Sequence, residues 1–94
     1  MQEKSNRVIV TVIGVDKVGI IANVSNLLAE ANANIVDISQ TTLREFFTMI
    51  MMVDLDKANV SFDELRKRLN AKGDAMGLKI DAQHEDIFKF MHRV

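Results

Sequence analysis

Arg7-Val8-Ile9-Val10-Thr11-Val12-Ile13-Gly14-Val15-Asp16-Lys17-Val18-Gly19-Ile20-Ile21 changes its hydrophobic period within a few residues. Up to Ile13 the run is almost wholly β-branched, which suits a pleated strand better than a helix of that length. From Ile20 the period becomes helical. Ile20, Ile21, Val24, Leu27, Leu28 and Ala31 make one apolar stripe, with Asn23, Ser25, Asn26, Glu30 and Asn32 between them. A strand therefore passes into a helix of about three to four turns. Between them lies Gly14 to Gly19, a turn rich in accessible backbone. The first N–H groups of a helix lack intrahelical partners and sit at the positive end of its dipole, so backbone alone can hold a small carboxylate or phosphate there. Asp16 stands where its side chain can accept from those N–H groups, and Gly19 removes a side chain where something approaches closely. A plain strand–helix turn, capped by Asp16 and relieved by Gly19, uses the same residues. The spacing is neither the G-x-G-x-x-G of dinucleotide sites nor a P-loop, because no Gly-Lys-Ser/Thr follows.

The remaining elements follow from similar signals. Ile35 to Leu43 is mixed in polarity and Phe46 to Val53 is nearly all apolar, with Arg44-Glu45 as the hairpin tip between them. Ser61-Phe62-Asp63-Glu64 has the form of a capping box, with Val60 and Leu65 placed as a hydrophobic staple. It starts a second helix that buries Phe62, Leu65, Leu69 and Met76 and turns Arg66, Lys67, Arg68 and Lys72 to water. Gly77 suits the C-terminal cap, while Gly73 weakens the last turn. Leu78, Ile80 and Ala82 alternate with Lys79, Asp81 and Gln83 in a last strand. The order β-α-β-β-α-β predicts an α+β, ferredoxin-like sandwich: a four-stranded antiparallel sheet with both helices on one face. The whole chain, 1–94, reads as one domain with a core over about 7–83 and a short C-terminal helix over about 84–94.

The first and third strands, central in this plan, are apolar on both sides. A face open to water alternates with polar residues, so a second cover is expected on the face away from the helices. It is either a second subunit, making a homodimer, or the tail, where Ile87, Phe90, Met91 and Val94 share one helical face.

Composition narrows the function classes. With 48% hydrophobic and 27% charged residues the chain is not a disordered tail. A formal charge of −1 supplies none of the basic excess that nucleic acid or an anionic membrane requires. No signal peptide or spanning run is read, and the absence of cysteine fits a reducing compartment, so a cytoplasmic protein is expected. An enzyme is not expected: His84 and His92 are the only histidines, and no serine or cysteine nucleophile is recognisably paired to either. Neither a cofactor nor a metal site is expected. His84, Glu85 and His92 fall within a helical turn or two of each other but read as surface residues near a terminus. Phe46 and Phe47 are adjacent and point to opposite faces, which does not make a base-stacking platform. The six methionines suit adaptable core and contact positions.

With the element order and the turn in place, the chain resembles a stand-alone ACT domain, of the kind found in short bacterial and archaeal ACT proteins. The likeness is carried by Val12-Ile13-Gly14-Val15-Asp16-Lys17-Val18-Gly19-Ile20-Ile21, Asn34-Ile35-Val36-Asp37-Ile38-Ser39-Gln40 and Glu45-Phe46-Phe47-Thr48-Met49. It is similar to the N-terminal modules of formyltetrahydrofolate deformylases and of glycine-cleavage regulators. The resemblance implies regulation through a small-molecule effector, most often an amino acid held between paired domains. It points to Asp16, Lys17, Val18, Gly19, Ile20, Asn34, Ile35 and Asp37 as the ligand-binding set. The helix N-terminus would receive the ligand carboxylate, Asp16 or Asp37 its ammonium, and Asn34 either group. These 94 residues hold no catalytic or DNA-binding domain, so the output is expected on a separate enzyme or regulator. The other reading is an interaction module that binds a protein and no small molecule.

Overall fold

The computed structural model describes residues 6–86, and the elements follow the expected order. They are β1 (Arg7–Val15), α1 (Ile20–Glu30), β2 (Asn34–Leu43), β3 (Phe46–Asp54), α2 (Phe62–Met76) and β4 (Lys79–His84). The four strands form one sheet in the order β2-β3-β1-β4, with every neighbouring pair antiparallel. The chain thus has the ferredoxin-like arrangement, with β1 and β3 central. The C-terminal helix read over 84–94 lies outside the described residues beyond Asp86.

The inner face of the sheet and the two helices share one core. Val8, Val10 and Val12 of β1 and Phe47, Met49, Met51 and Val53 of β3 are buried with Val24 and Leu28 of α1 and Leu65 and Leu69 of α2. The alternate residues of the same strands face the other way. There Ile13 and Phe46 are each 50% exposed and Ile50 is 48% exposed. The expectation of a second cover is therefore not met over this part of the sheet by any described element.

Three local readings are refined. β1 continues to Val15, because Gly14 and Val15 pair with Phe47 and Phe46, so the turn shrinks to 16–19. Only half of the capping box forms: Ser61 Oγ accepts from Glu64 N–H at 3.1 Å, whereas the Glu64 carboxylate pairs with Arg68 at 3.0 Å one turn on. The i,i+4 ion pair competes successfully for a side chain that would otherwise fold back. Ser61→Ala is expected to lower stability by about 1 kcal/mol, read as a shift of the urea midpoint with unchanged slope.

Gly73 does not interrupt α2. It is buried against β4, where an added Cβ would lie 2.7 Å from the Leu78 carbonyl oxygen and 3.1 Å from an Ile80 side-chain carbon. The glycine is there because the helix and strand backbones nearly touch. Gly73→Ala gains about 1 kcal/mol of helix propensity, yet it is expected to cost a net 1–3 kcal/mol, roughly, because a backbone oxygen cannot rotate away. A stabilised variant in a thermal melt would show that the two elements have room to part.

Candidate functional site

The turn after β1 is held from three sides. Asp16 N–H donates to the Glu45 carbonyl at 2.7 Å, which ties the turn to the β2–β3 hairpin. The Lys17 ammonium donates to the Met76 carbonyl at the C-terminus of α2, where a cation also meets the negative end of that helix. Asn23 Nδ2 donates to the Gly19 carbonyl at 2.8 Å. Between these ties Val18 is fully exposed, and Ile20, 2% exposed, anchors the first turn of α1 in the core.

Gly19, not Asp16, is the N-cap of α1. Its backbone is left-handed, with φ 91°, a conformation that glycine adopts without the steric cost other residues meet. The chain reverses so sharply there that Asp16 is left three residues upstream, and no side chain caps the helix. The cap expected of Asp16 is therefore absent, and Asp16 is exposed. No acidic residue occupies the first turn of α1 either. The result is a positive helix end with no side-chain cap, three residues after an exposed aspartate, a pairing of charges that suits a small group carrying both signs.

The eight expected residues fall into two groups at opposite ends of the sheet. Asp16, Lys17, Val18, Gly19 and Ile20 follow Val15, which is level with Phe46 and Leu43. Asn34 is level with Asp54 and Arg7 at the other end. Eight residue steps of a strand separate the two ends, roughly 26 Å. Ile35 packs against the core, and Asp37 pairs with Met52 after a bulge at Val36 that re-aims the strand. The Asp37 carboxylate accepts from Ile38 N–H at 2.9 Å and stays exposed. Within one chain, then, the two groups do not converge.

Two features of these ends were not read from the sequence. Asn23 clamps the Gly19 carbonyl; an Asn four residues after a glycine has no spacing signature. Around Asn34 there is an open cavity of about 590 Å³, also lined by Asn32, Asp54, Asp56 and Lys57. Asp54 Oδ1 accepts from Asp56 N–H at 2.8 Å, so this carboxylate first serves its own turn. Among the described residues, no group of three or more histidine, aspartate or glutamate side chains is placed to hold a metal ion, and no helix is long and apolar enough to cross a membrane.

Residues 6–83 match the model of the ACT domain family, and the chain belongs to that family. ACT domains are typically regulatory modules that bind small molecules, and they commonly dimerise. Among relatives, a UPF0237 protein of Methanocaldococcus jannaschii is 53% identical over 89 residues, covering 95% of this chain and 99% of its own length. An ACT domain protein from Streptococcus pneumoniae superposes with a TM-score of 0.78 at 44% identity, over 90% of this chain and 96% of that one. A formyltetrahydrofolate deformylase from Pseudomonas syringae pv. tomato shares the fold at a TM-score of 0.72 and 26% identity, over 82% of this chain and 27% of that one.

Proposed function

We propose that the protein is a cytoplasmic sensor of an amino acid or similar small metabolite, working as a homodimer and signalling to a separate protein. The uncapped start of α1 at left-handed Gly19, with exposed Asp16 three residues before it, carries this reading. An α-amino acid presents a carboxylate for the helix N–H groups and an ammonium for Asp16. Each is a charge-assisted contact, and a few of them on a preformed turn account for a dissociation constant in the micromolar to millimolar range, about −8 to −4 kcal/mol.

A dimer supplies what one chain lacks. β2 is an edge strand exposed along nearly all its length, and Ile38 to Leu43 carries no charge. Antiparallel pairing of two such edges sets the start of one β2 against the end of the other. Asn34, Ile35 and Asp37 of one protomer then approach the 16–20 turn of its partner, and the two separated groups close on one ligand.

A thermal-shift screen against the twenty amino acids, purines, folates and common phosphates tests this. A ligand at a hundred times its dissociation constant adds about 2.7 kcal/mol. Stabilisation by an α-amino acid that disappears in Gly19→Val and Asp16→Ala is the expected result. No stabilisation at millimolar concentrations would favour the second reading, an interaction module. That reading draws on the exposed apolar residues of the outer sheet face, Ile13, Phe46 and Ile50 among them.

A further inference from the structure

Neither helix end that meets the 16–19 turn is served by its own residues. A helix C-terminus bears about half a negative charge and is stabilised by a cation. Yet α2 has no basic residue in its last turn and carries Asp74 there. Lys17 supplies the missing cation from 59 residues away, donating to the carbonyl of Met76, the last residue of α2. The start of α1 is left with neither an acid in its first turn nor a side-chain cap. The turn's one cation thus serves α2, not the helix it precedes.

Backbone packing joins the same two places. β1 pairs with β4 only as far as Ile13 and Lys79, but with β3 as far as Val15 and Phe46. Gly14 therefore runs on past β4 and lies against the corner where α2 gives way to that strand. An ideal Cβ on Gly14 would stand 2.6 Å from a Leu78 side-chain carbon and 3.6 Å from the Gly77 carbonyl oxygen. One on Gly77 would stand 3.5 Å from Lys17 Nζ. The corner itself is closed by Leu78 N–H, which donates to the Gly73 carbonyl at 2.8 Å, and by Gly77 N–H, which donates to the Asp74 carbonyl at 3.4 Å.

We propose that Lys17 is a positioning residue that couples the 16–19 turn to the α2–β4 corner, and is not itself an effector contact. Likeness to other ACT domains puts it in the ligand-binding set, but its ammonium is engaged at a helix end that has no cation of its own. The tie fixes the backbone ahead of α1 and keeps the lysine charge away from the helix start. Whatever orders the turn then also orders the end of α2, and the reverse holds with the same coupling free energy. Where the turn takes an effector, which rests on the ligand reading above, the change reaches the corner. It reaches with it the open cavity of about 650 Å³ that Asp74, Gly77, Leu78 and Lys79 help to line.

Amide hydrogen exchange, followed by NMR in the full-length protein, reads both sides of the tie. Lys17→Met should speed exchange several-fold at Asp16, Gly77 and Leu78, with Asn32 and Ala33, just before β2 at the opposite end of the sheet, unchanged. Lys17→Arg keeps a cationic donor and should return the rates to those of the wild type. Unchanged rates at Gly77 and Leu78 in Lys17→Met, equal acceleration at Asn32 and Ala33, or no rescue by arginine would overturn the proposal. Each of the twenty amino acids is then added at millimolar concentration to the wild type and to Lys17→Met. One that slows exchange at Asp16 of the wild type should slow it at Gly77 and Leu78 as well. In Lys17→Met it should still slow Asp16 but leave Gly77 and Leu78 unmoved. A liganded wild type with an unchanged corner, or loss of all binding in Lys17→Met, would also overturn the proposal. If no amino acid slows Asp16 in the wild type, the ligand reading fails alone, and the unliganded variants decide the coupling.

Discussion

Leu69→Ala is expected to lower the free energy of unfolding by about 2–5 kcal/mol. Leu69 is 0% exposed and belongs to the single core that joins α2 to the inner face of the sheet. Truncation removes apolar area and leaves a cavity that neighbours on a rigid sheet fill only in part. A domain of this size commonly has only about 5–15 kcal/mol in all, so the loss is a large fraction of the total. The melting temperature should fall on the order of 10–30 °C. Ile50→Ala makes the counter-measurement. Ile50 is a comparable aliphatic residue on the adjoining sheet but 48% exposed on the outer face. It should cost within about 1 kcal/mol in the isolated protomer. Urea melts of both variants at low protein concentration decide the matter. Equal losses would mean that the outer face is packed as tightly as the inner one, which contradicts the exposures given above.

Much of this architecture was legible in the residues. Val8 to Ile13 and Phe46 to Val53 announce central strands because they are apolar on both sides, and they occupy the centre of the sheet. The Ser61 hydroxyl fixes the start of α2, and Gly77, with φ 71°, caps its end. Other features were not legible, for physical reasons. Whether Asp16 or Gly19 caps α1 depends on a backbone torsion that Asp-Lys-Val-Gly permits either way. Gly73 reads as a helix weakener because propensity counts only the helix itself, while its reason lies in the close return of the chain at Leu78 and Ile80, five and seven residues on. The separation of Asp16 from Asn34 follows from the direction of the strands: the helix brings the chain back to the far end before β2 begins. Sequence proximity to helix and strand ends identified both groups of residues, but it carried no statement about whether one chain can bring them together.

That separation makes the next expected result sharp. Asp16→Ala and Asp37→Ala should each weaken effector binding about 10- to 150-fold, the loss of one charge-assisted hydrogen bond worth about 1.5–3 kcal/mol. Mixing the two variants after dissociation and reassociation should restore tight sites. If each site takes its turn from one protomer and its β2 from the other, a mixed dimer holds one site with both aspartates and one with neither. Random reassortment of a two-fold dimer then returns about one quarter of the wild-type number of sites at wild-type affinity. Titration calorimetry with the amino acid that raises the melting temperature reads the number directly. Should both aspartates serve a site within one chain, mixing restores nothing, because every chain carries one lesion. The roughly 26 Å between the two ends of the sheet argues against that outcome. Gly19→Val supplies the control, because it forces a β-branched residue to φ 91°, at a strain of about 1–3 kcal/mol, and distorts the helix start in whichever chain carries it. Mixed with Asp16→Ala it should rescue no sites, since both changes damage the same turn, whereas mixed with Asp37→Ala it should rescue the same quarter. Only a site shared across the two-fold axis, with the turn on one side and β2 on the other, yields that pattern of three mixtures.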